Sequence, residues 1–328
     1  MAVGSGLGST FGFSAESVYG TYVAPTKFPR HKTVSIKPTN QRVQGESIQG
    51  GILGSIGAHY VETTVGAEAT VELDVQTSGL GLILQAITGG TSTSTVSTTP
   101  ACTQTHTLGD PYGKSLTLQA GRPTRAGTAV PATLKGGKVT AAEFSCEVGG
   151  LLGLSLTVDG QAYDNTTALA VASYSAASVW SGKQMCVKAG AVGSEAAVDG
   201  IRSVSVSWTN PLDTSDYTAC KAGLKAEPVL NGAVEITGSL AADWLAKATL
   251  EDLAVAHTST SLVWEFTGAN ITGSVNQSFK MTLPGVFFES QAQDVPGKQE
   301  LTSDWAFTWK YDGTNLPSIV VISTDAAL

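Results

Sequence analysis

The chain has 328 residues, 42% of them hydrophobic and 14% charged, with a net charge of −8. This excludes a disordered tail and argues against a protein that grips phosphate backbones, since such binding rests on Lys and Arg releasing counterions; no apolar stretch is long enough to cross a membrane. The length allows two cores, and 37 Gly among many Ser and Thr residues predict strands punctuated by turns, hence a mainly β protein.

Residues 1–31, rich in Gly, Ser, Thr and Pro, are expected to form an extended arm of the kind that docks on a neighbour. A first unit spans 32–160. It begins with strands at 32–37 and 68–76 and an apolar helix at 79–88, whose Leu80, Leu82, Ile83 and Ile87 should cover a sandwich. The low-complexity run TSTSTVSTTP at 91–100 reads as an exposed loop. Strands at 105–108 and 114–120 and a hairpin over 138–160 complete this unit. Residues 161–200 read as a linker that adds a strand near 184–188.

The second unit, 201–328, repeats the order. Strands at 201–208 and 233–240 lead to a helix over 241–254 carrying Trp244, Leu245, Leu250 and Leu253. Strands at 260–266 and 278–284 come next, and KQELTSDWAFTWKYDG with PSIVVIST should form the closing hairpin. The fold expected is two tandem β-sandwich units, each with a flanking helix. A chain built twice from one unit usually belongs to a symmetric assembly.

The connectors 38–66 and 209–232 sit at the same place in each unit and exceed the usual loop length, so they should work on a partner. Ile48, Ile52, Leu53 and Ile56 in the first, and Leu224, Pro228, Val229 and Leu230 in the second, could pack under a neighbouring subunit; the alternative is a loop folded back on its own sheet.

Alternate side chains of a strand face opposite ways, so each strand divides cleanly. Val71, Leu73, Phe144, Leu154, Leu156, Val206, Trp208, Ile236, Trp305, Phe307 and Trp309 fall on core faces. Opposite them lie short hydroxyl residues and, as candidate site residues, Glu72, Asp74, Glu143, Glu147, Asp159, Glu235 and Asp304, with Lys37 and Lys310 as basic exceptions. Such an anionic face without aromatic residues is poor at gripping bases or phosphates and suits a surface past which a polyanion moves.

No catalytic chemistry is assigned. His31, His59, His106 and His257 are scattered, and no G-x-S-x-G elbow, H-E-x-x-H or P-loop occurs. GSGLGS at Gly4 lacks the preceding strand that a nucleotide fingerprint needs. Cys102, Cys146, Cys186 and Cys220 are too dispersed for a zinc or redox motif and are expected to be reduced thiols. No metal or cofactor is expected. The N-terminus lacks a basic start followed by an apolar run, so the product is expected inside the cell that makes it. A two-domain immunoglobulin-like adhesin or a decoration module would leave similar strand patterns; with no secretory signal seen, the sequons at Asn165, Asn270 and Asn276 read as chance matches.

The opening GSGLGSTFGFSAESVYGTYVAPT, the segments QTHTLGDPYGKSLTLQAGRP and KVTAAEFSCEVGGLLGLSLTVDGQ, and GLKAEPVLNGAVEITGSL together resemble the major tail tube proteins of tailed bacteriophages, especially those with long non-contractile tails. The resemblance covers nearly the whole chain. It implies a structural virion protein, assembled in the host bacterial cytoplasm, whose units each give four strands to a ring-wide β-barrel. It implies stacked rings around the tape measure protein, contacts with tail-tip and tail-terminator proteins, and later passage of double-stranded DNA without specific binding; Glu72, Asp74, Glu143, Glu147, Asp159, Glu235 and Asp304 are then expected to line the lumen, and Ile48, Ile52, Leu53, Ile56, Leu224, Val229 and Leu230 to make contacts between rings. Family members with a single unit form six-unit rings, so a duplicated chain should form rings of three. Geometry agrees: ~24 strands at ~4.8 Å spacing and ~40° tilt give a backbone diameter of ~48 Å and a bore of roughly 35 to 40 Å. A duplex ~20 Å wide passes that bore, whereas ~12 strands leave only ~14 Å.

Overall fold

Period-two alternation of branched and aromatic residues with Ser, Thr and acids produces an antiparallel β architecture. The computed structural model describes residues 5–244, 250–289 and 301–328. In chain order the strands are β1 (Thr10–Ala15), β2 (Thr33–Pro38), β3 (Gln41–Gln44), β4 (Tyr60–Thr64), β5 (Ala67–Asp74), β6 (Thr93–Thr98), β7 (Ala101–Thr107), β8 (Leu116–Pro123), β9 (Ala129–Glu147) and β10 (Gly153–Gly160). They continue with β11 (Ala162–Asp164), β12 (Met185–Gly190), β13 (Ala196–Ala197), β14 (Ile201–Thr209), β15 (Glu235–Asp243), β16 (Thr260–Thr272), β17 (Val275–Phe288), β18 (Thr302–Trp309) and β19 (Ser318–Ser323). The helices are α1 (Gly81–Thr88) and α2 (Glu251–Val255).

A central sheet runs β2–β5–β10–β9–β14–β15–β18, ending on the last residues of β17. It is open rather than closed into a barrel. Two flanking sheets cover its apolar side. One is β1–β8–β9–β11; the other is β12–β16–β17–β19–β7–β6.

β9 and β17 are long because each serves two sheets. In β9, residues 129–137 pair with β8 and residues 138–147 with β10 and β14. In β17, residues 275–283 pair with β16 and β19, and Val286–Phe288 with β18. Each strand turns its corner at a glycine of positive φ, Gly136 at 69° and Gly285 at 77°. A Cβ on Gly285 would lie 2.3 Å from the Lys310 carbonyl oxygen, so no side chain fits there.

The core is one continuous apolar cluster between the central sheet and its covers. Phe144 of β9 meets Phe279 of β17 at 6.0 Å, and Phe279 contacts Phe266, which touches Trp264 and Trp180. Each such fully buried ring contributes about 2 to 3 kcal/mol of transfer free energy. At the β9–β14 seam, the fully buried Trp208 donates to Asn210 Oδ1, and Asn210 Nδ2 donates to the Ile87 and Val139 carbonyls. α1 buries Ile83, Leu84 and Ile87 and stops at Gly89, whose φ of 71° lets its amide reach the Gln85 carbonyl.

Several expectations change. Residues 10–15 dock on the chain's own β8, with Phe11 and Phe13 fully buried, so this stretch of the arm is core rather than a reach to a neighbour. The buried Glu16 carboxylate anchors the adjoining turn of the arm, accepting from Ser115 Oγ, Thr117 Oγ1 and the Gly20 and Gly136 amides. The run 91–100 is not a loop. Its β-branched residues form β6, which pairs with β7. Ala241–Asp243 extend β15 against β18 instead of opening a helix, and Leu245 lies outside the described residues. β18 and β19 do not form a closing hairpin: both pair with β17, on its two different segments.

Candidate functional site

The side of the central sheet that faces away from the core is set by alternation and register together. Thr33 lies opposite Glu72, Glu72 opposite Ser155, Ser155 opposite Glu143, Glu143 opposite Ser207, Ser207 opposite Thr237 and Thr237 opposite Thr308. One row of short polar side chains therefore crosses β2 to β18. Neighbouring rows behave alike, and the Ser205 and Ser239 hydroxyls meet at 2.9 Å. The aromatic residues of these strands, Phe144, Trp208, Trp305 and Phe307, point the other way and are buried.

Glu72, Asp74, Glu143, Glu147, Asp159, Glu235 and Asp304 are all brought onto this one polar face. They are not equivalent. Lys32 Nζ lies 2.6 Å from Asp74, Lys37 pairs with the neighbouring Glu68 at 2.8 Å, and Lys225 Nζ lies 2.7 Å from Asp159 Oδ2. Glu72, Glu143, Glu147, Glu235 and Asp304 are exposed and make no ion pair among the described residues. The face thus carries uncompensated negative charge, with no ring to stack a base.

At one end of the central sheet β2 pairs, among the described residues, with β5 alone, leaving its other edge open. At the far end the same holds for Phe287 and Phe288 of β17, which among the described residues pair with β18 on one side only. Unpaired strand edges are templates for another chain.

The two connectors differ. The first contains the β3–β4 hairpin and exposes Ile48, Ile52 and Leu53, with Ile56 half-buried. The second is seated on the rim formed by β9, β10 and the approach to β5. There Gln161 Nε2 donates to the Lys225 carbonyl, the Val65 amide donates to the Gly223 carbonyl, and Lys138 forms an ion pair with Glu227. Gly113 also donates to Glu227 Oε1 at 2.7 Å. Lys138 is only 1% exposed and Lys225 only 3%. Burial pushes the Lys138 ammonium down and the Asp159 carboxyl up, each opposed by its ion-pair partner. Within this seat Leu224 is half-buried and Pro228 buried, Leu230 is half-buried, and Val229 stays exposed.

Among the described residues the rim has no such cover in the other half of the sheet. A cleft of about 730 Å³ opens there beside Leu230, Val234, Trp309, Lys310, Tyr311 and Leu316. Lys310 is exposed and makes no ion pair among the described residues. Two residues before Leu108, which lines this cleft, His106 is fully buried in β7, with Nδ1 2.6 Å from Ser92 Oγ; burial pushes its imidazole down to about 4.

Sequence reasoning missed the seat made by Lys225, Glu227 and Lys138. Little in the sequence signalled it, since Lys225 and Glu227 stand in the same connector as Asp213, Asp216 and Lys221 and nothing in their spacing singles them out. Among the described residues no group of three or more His, Cys, Asp or Glu is placed to hold a metal ion. A comparison with curated proteins gives no match. A family model described as phage tail tube protein matches residues 6–308. That span takes in the central sheet with its polar face and both connectors, and the chain belongs to the phage tail tube protein family.

Proposed function

We propose that the chain holds two tail tube units in tandem and that three chains make each ring of the tube. A tail tube protein is a structural component of the virion tail that assembles with itself into a tube. Two recurrences of strand order support the duplication. β2–β5–β10–β9 recurs as β14–β15–β18–β17, and β1–β8–β9–β11 recurs as β12–β16–β17–β19. α1 comes after β5 as α2 comes after β15. The boundaries then shift from those read in the sequence: the first unit takes in β1 and β11, and the linker ends where β12 begins the second. β6 and β7 are an insertion of the first unit that pairs with β19 of the second.

The observation that carries the reading is the seam. β14 pairs with β9 from Ser203↔Glu147 to Thr209↔Ala141, so the two units lie side by side in one sheet as ring neighbours do. Closing the ring repeats that contact between chains, with the β2 edge of one copy against the β17 end of the next. Eight central strands from each of three chains give about 24, and hence a bore of roughly 35 to 40 Å.

In that ring the polar face lines the lumen, and Glu72, Glu143, Glu147, Glu235 and Asp304 repel a passing duplex across a gap of about one Debye length, ~8 Å. The lumen first encloses the tape measure protein and then conducts double-stranded DNA without holding it. Ile48, Ile52 and Leu53 are free to make contacts between copies. Tail-tip and tail-terminator proteins cap the stack, in a tail of the long non-contractile type; these last points rest on the family resemblance. Electron microscopy of the purified protein, with mass measurement of isolated rings, tests the proposal. Rings of three chains are expected, and rings of six chains contradict it.

A further inference from the structure

The seat of the second connector has a counterpart that stands empty. In the first half Thr157 pairs with Thr70, and two residues on Asp159 receives Lys225. In the second half Thr308 pairs with Thr237 in the same arrangement, and two residues on the position of Asp159 is held by Lys310. Around Lys310 lies the uncovered cleft, walled by Trp309, Tyr311, Leu316 and Val234. The cleft therefore occupies, on the second half, the place that the connector fills on the first.

The segment that lacks a seat is the other connector, 39–66. It leaves the end of β2 as 210–234 leaves the end of β14. The second connector can sit down because β14 pairs with β9, which brings a rim beside it. Among the described residues β2 has no strand paired on its outer side, so the hairpin of 39–66 has no rim beside it, touches the second connector where Val65 meets Gly223 and Leu224, and leaves Ile48 and Leu53 fully exposed.

We propose that the cleft receives the 39–66 hairpin of a second copy, with Lys310 paired to Glu46 of the partner subunit. This rests on the side-by-side ring reading. Charge supports it: the seat offers Lys310 where the first offers Asp159, and the hairpin brings the acid Glu46, on the arm opposite to the one that holds Lys225 in the second connector. Both connectors are built as hairpins, Gln44 pairing with Tyr60 and Tyr217 with Lys225. Glu46 lies just beyond Gln44 toward the tip, is exposed, and makes no ion pair among the described residues. Exposed apolar side chains on the hairpin meet exposed apolar side chains in the cleft, which supplies the area. The reversed charges supply specificity, since a connector placed in the wrong seat brings like charges together. One contact is thereby internal to each chain and the other joins chains, which fixes the order of units around the ring.

The test uses the full chain assembled into rings. A benzophenone amino acid at position 53 should crosslink to the 305–316 region of a neighbouring copy within single rings. Lys310→Glu should lower the yield of rings by about tenfold, a scale suited to a charge pair losing its partner at an interface. Adding Glu46→Lys should restore it, while circular dichroism shows both variants folded. Three-chain rings whose crosslinks from position 53 go elsewhere, including only to the next ring of a stacked tube, overturn the docking but leave the ring reading intact. Failure of Glu46→Lys to rescue also overturns it. Absence of three-chain rings in the unmodified protein removes the ring reading and this inference with it.

Discussion

The connectors 39–66 and 210–234 begin and end at corresponding strands, yet one projects into solvent and the other is pinned by two ion pairs with nearly buried lysines. The difference does not lie in length or in apolar content. It lies in what stands next to the parent strand: β14 pairs with β9 on its outer side, and among the described residues β2 pairs there with no strand. On the proposed tandem reading, a loop that looks unfinished in one half of the chain is finished in the other, where its neighbour is covalently supplied.

The sharpest way to break this comparison is to unseat the second connector. Glu227→Gln leaves Lys138 buried without its counter-charge and should cost about 3 to 5 kcal/mol in urea unfolding. Lys138→Met combined with Glu227→Gln should recover most of that loss, because no unpaired charge then remains. Next in size is acid sensitivity near the uncovered rim. His106 titrates at about 4 in the folded chain and near its ordinary 6.5 when unfolded. The unfolded chain therefore binds more protons between those values, so the stability contributed by neutral His106 is complete above pH 6.5 and falls as pH drops toward 4, by up to about 3 kcal/mol. His106→Gln should flatten that part of a pH–stability profile. Smallest is the matching change in the exposed connector. Glu62→Gln removes the charge facing Arg42, which lies open to water, while the amide oxygen still accepts from Asn40, and should shift the isolated chain by less than about 0.5 kcal/mol. A loss as large as that of Glu227→Gln would erase the contrast between the connectors.

Alternation made the faces legible. Every acid assigned to the polar face lies there because antiparallel pairing keeps parity from β2 to β18, so Glu72 and Asp304 share a side without being near in sequence. Partners were less legible than faces. The alternation of 302–309 and of 318–323 says which side chains are buried, not which strand lies alongside, and the bend of β17 at Gly285 lets it pair with both. Composition misled at 91–100, where a run of Thr and Ser is polar enough for a loop but β-branched enough for a strand once β7 offers an edge. At Ala241 and Ala242 a residue with high helix propensity was overridden by the ladder to β18. The seat of Lys225 was invisible because a lysine and an aspartate 66 residues apart announce nothing until a seam brings them together.

The account stands on the two open edges of the central sheet being closed by neighbouring copies. Hydrogen–deuterium exchange measured on the isolated chain and on assembled rings tests this directly at β2 (Thr33–Pro38). Amides on the outer side of β2 should exchange quickly in the isolated chain and become strongly protected in rings, while those of β14, already paired on both sides, should stay protected throughout. Equal exchange of β2 in the two states would contradict it.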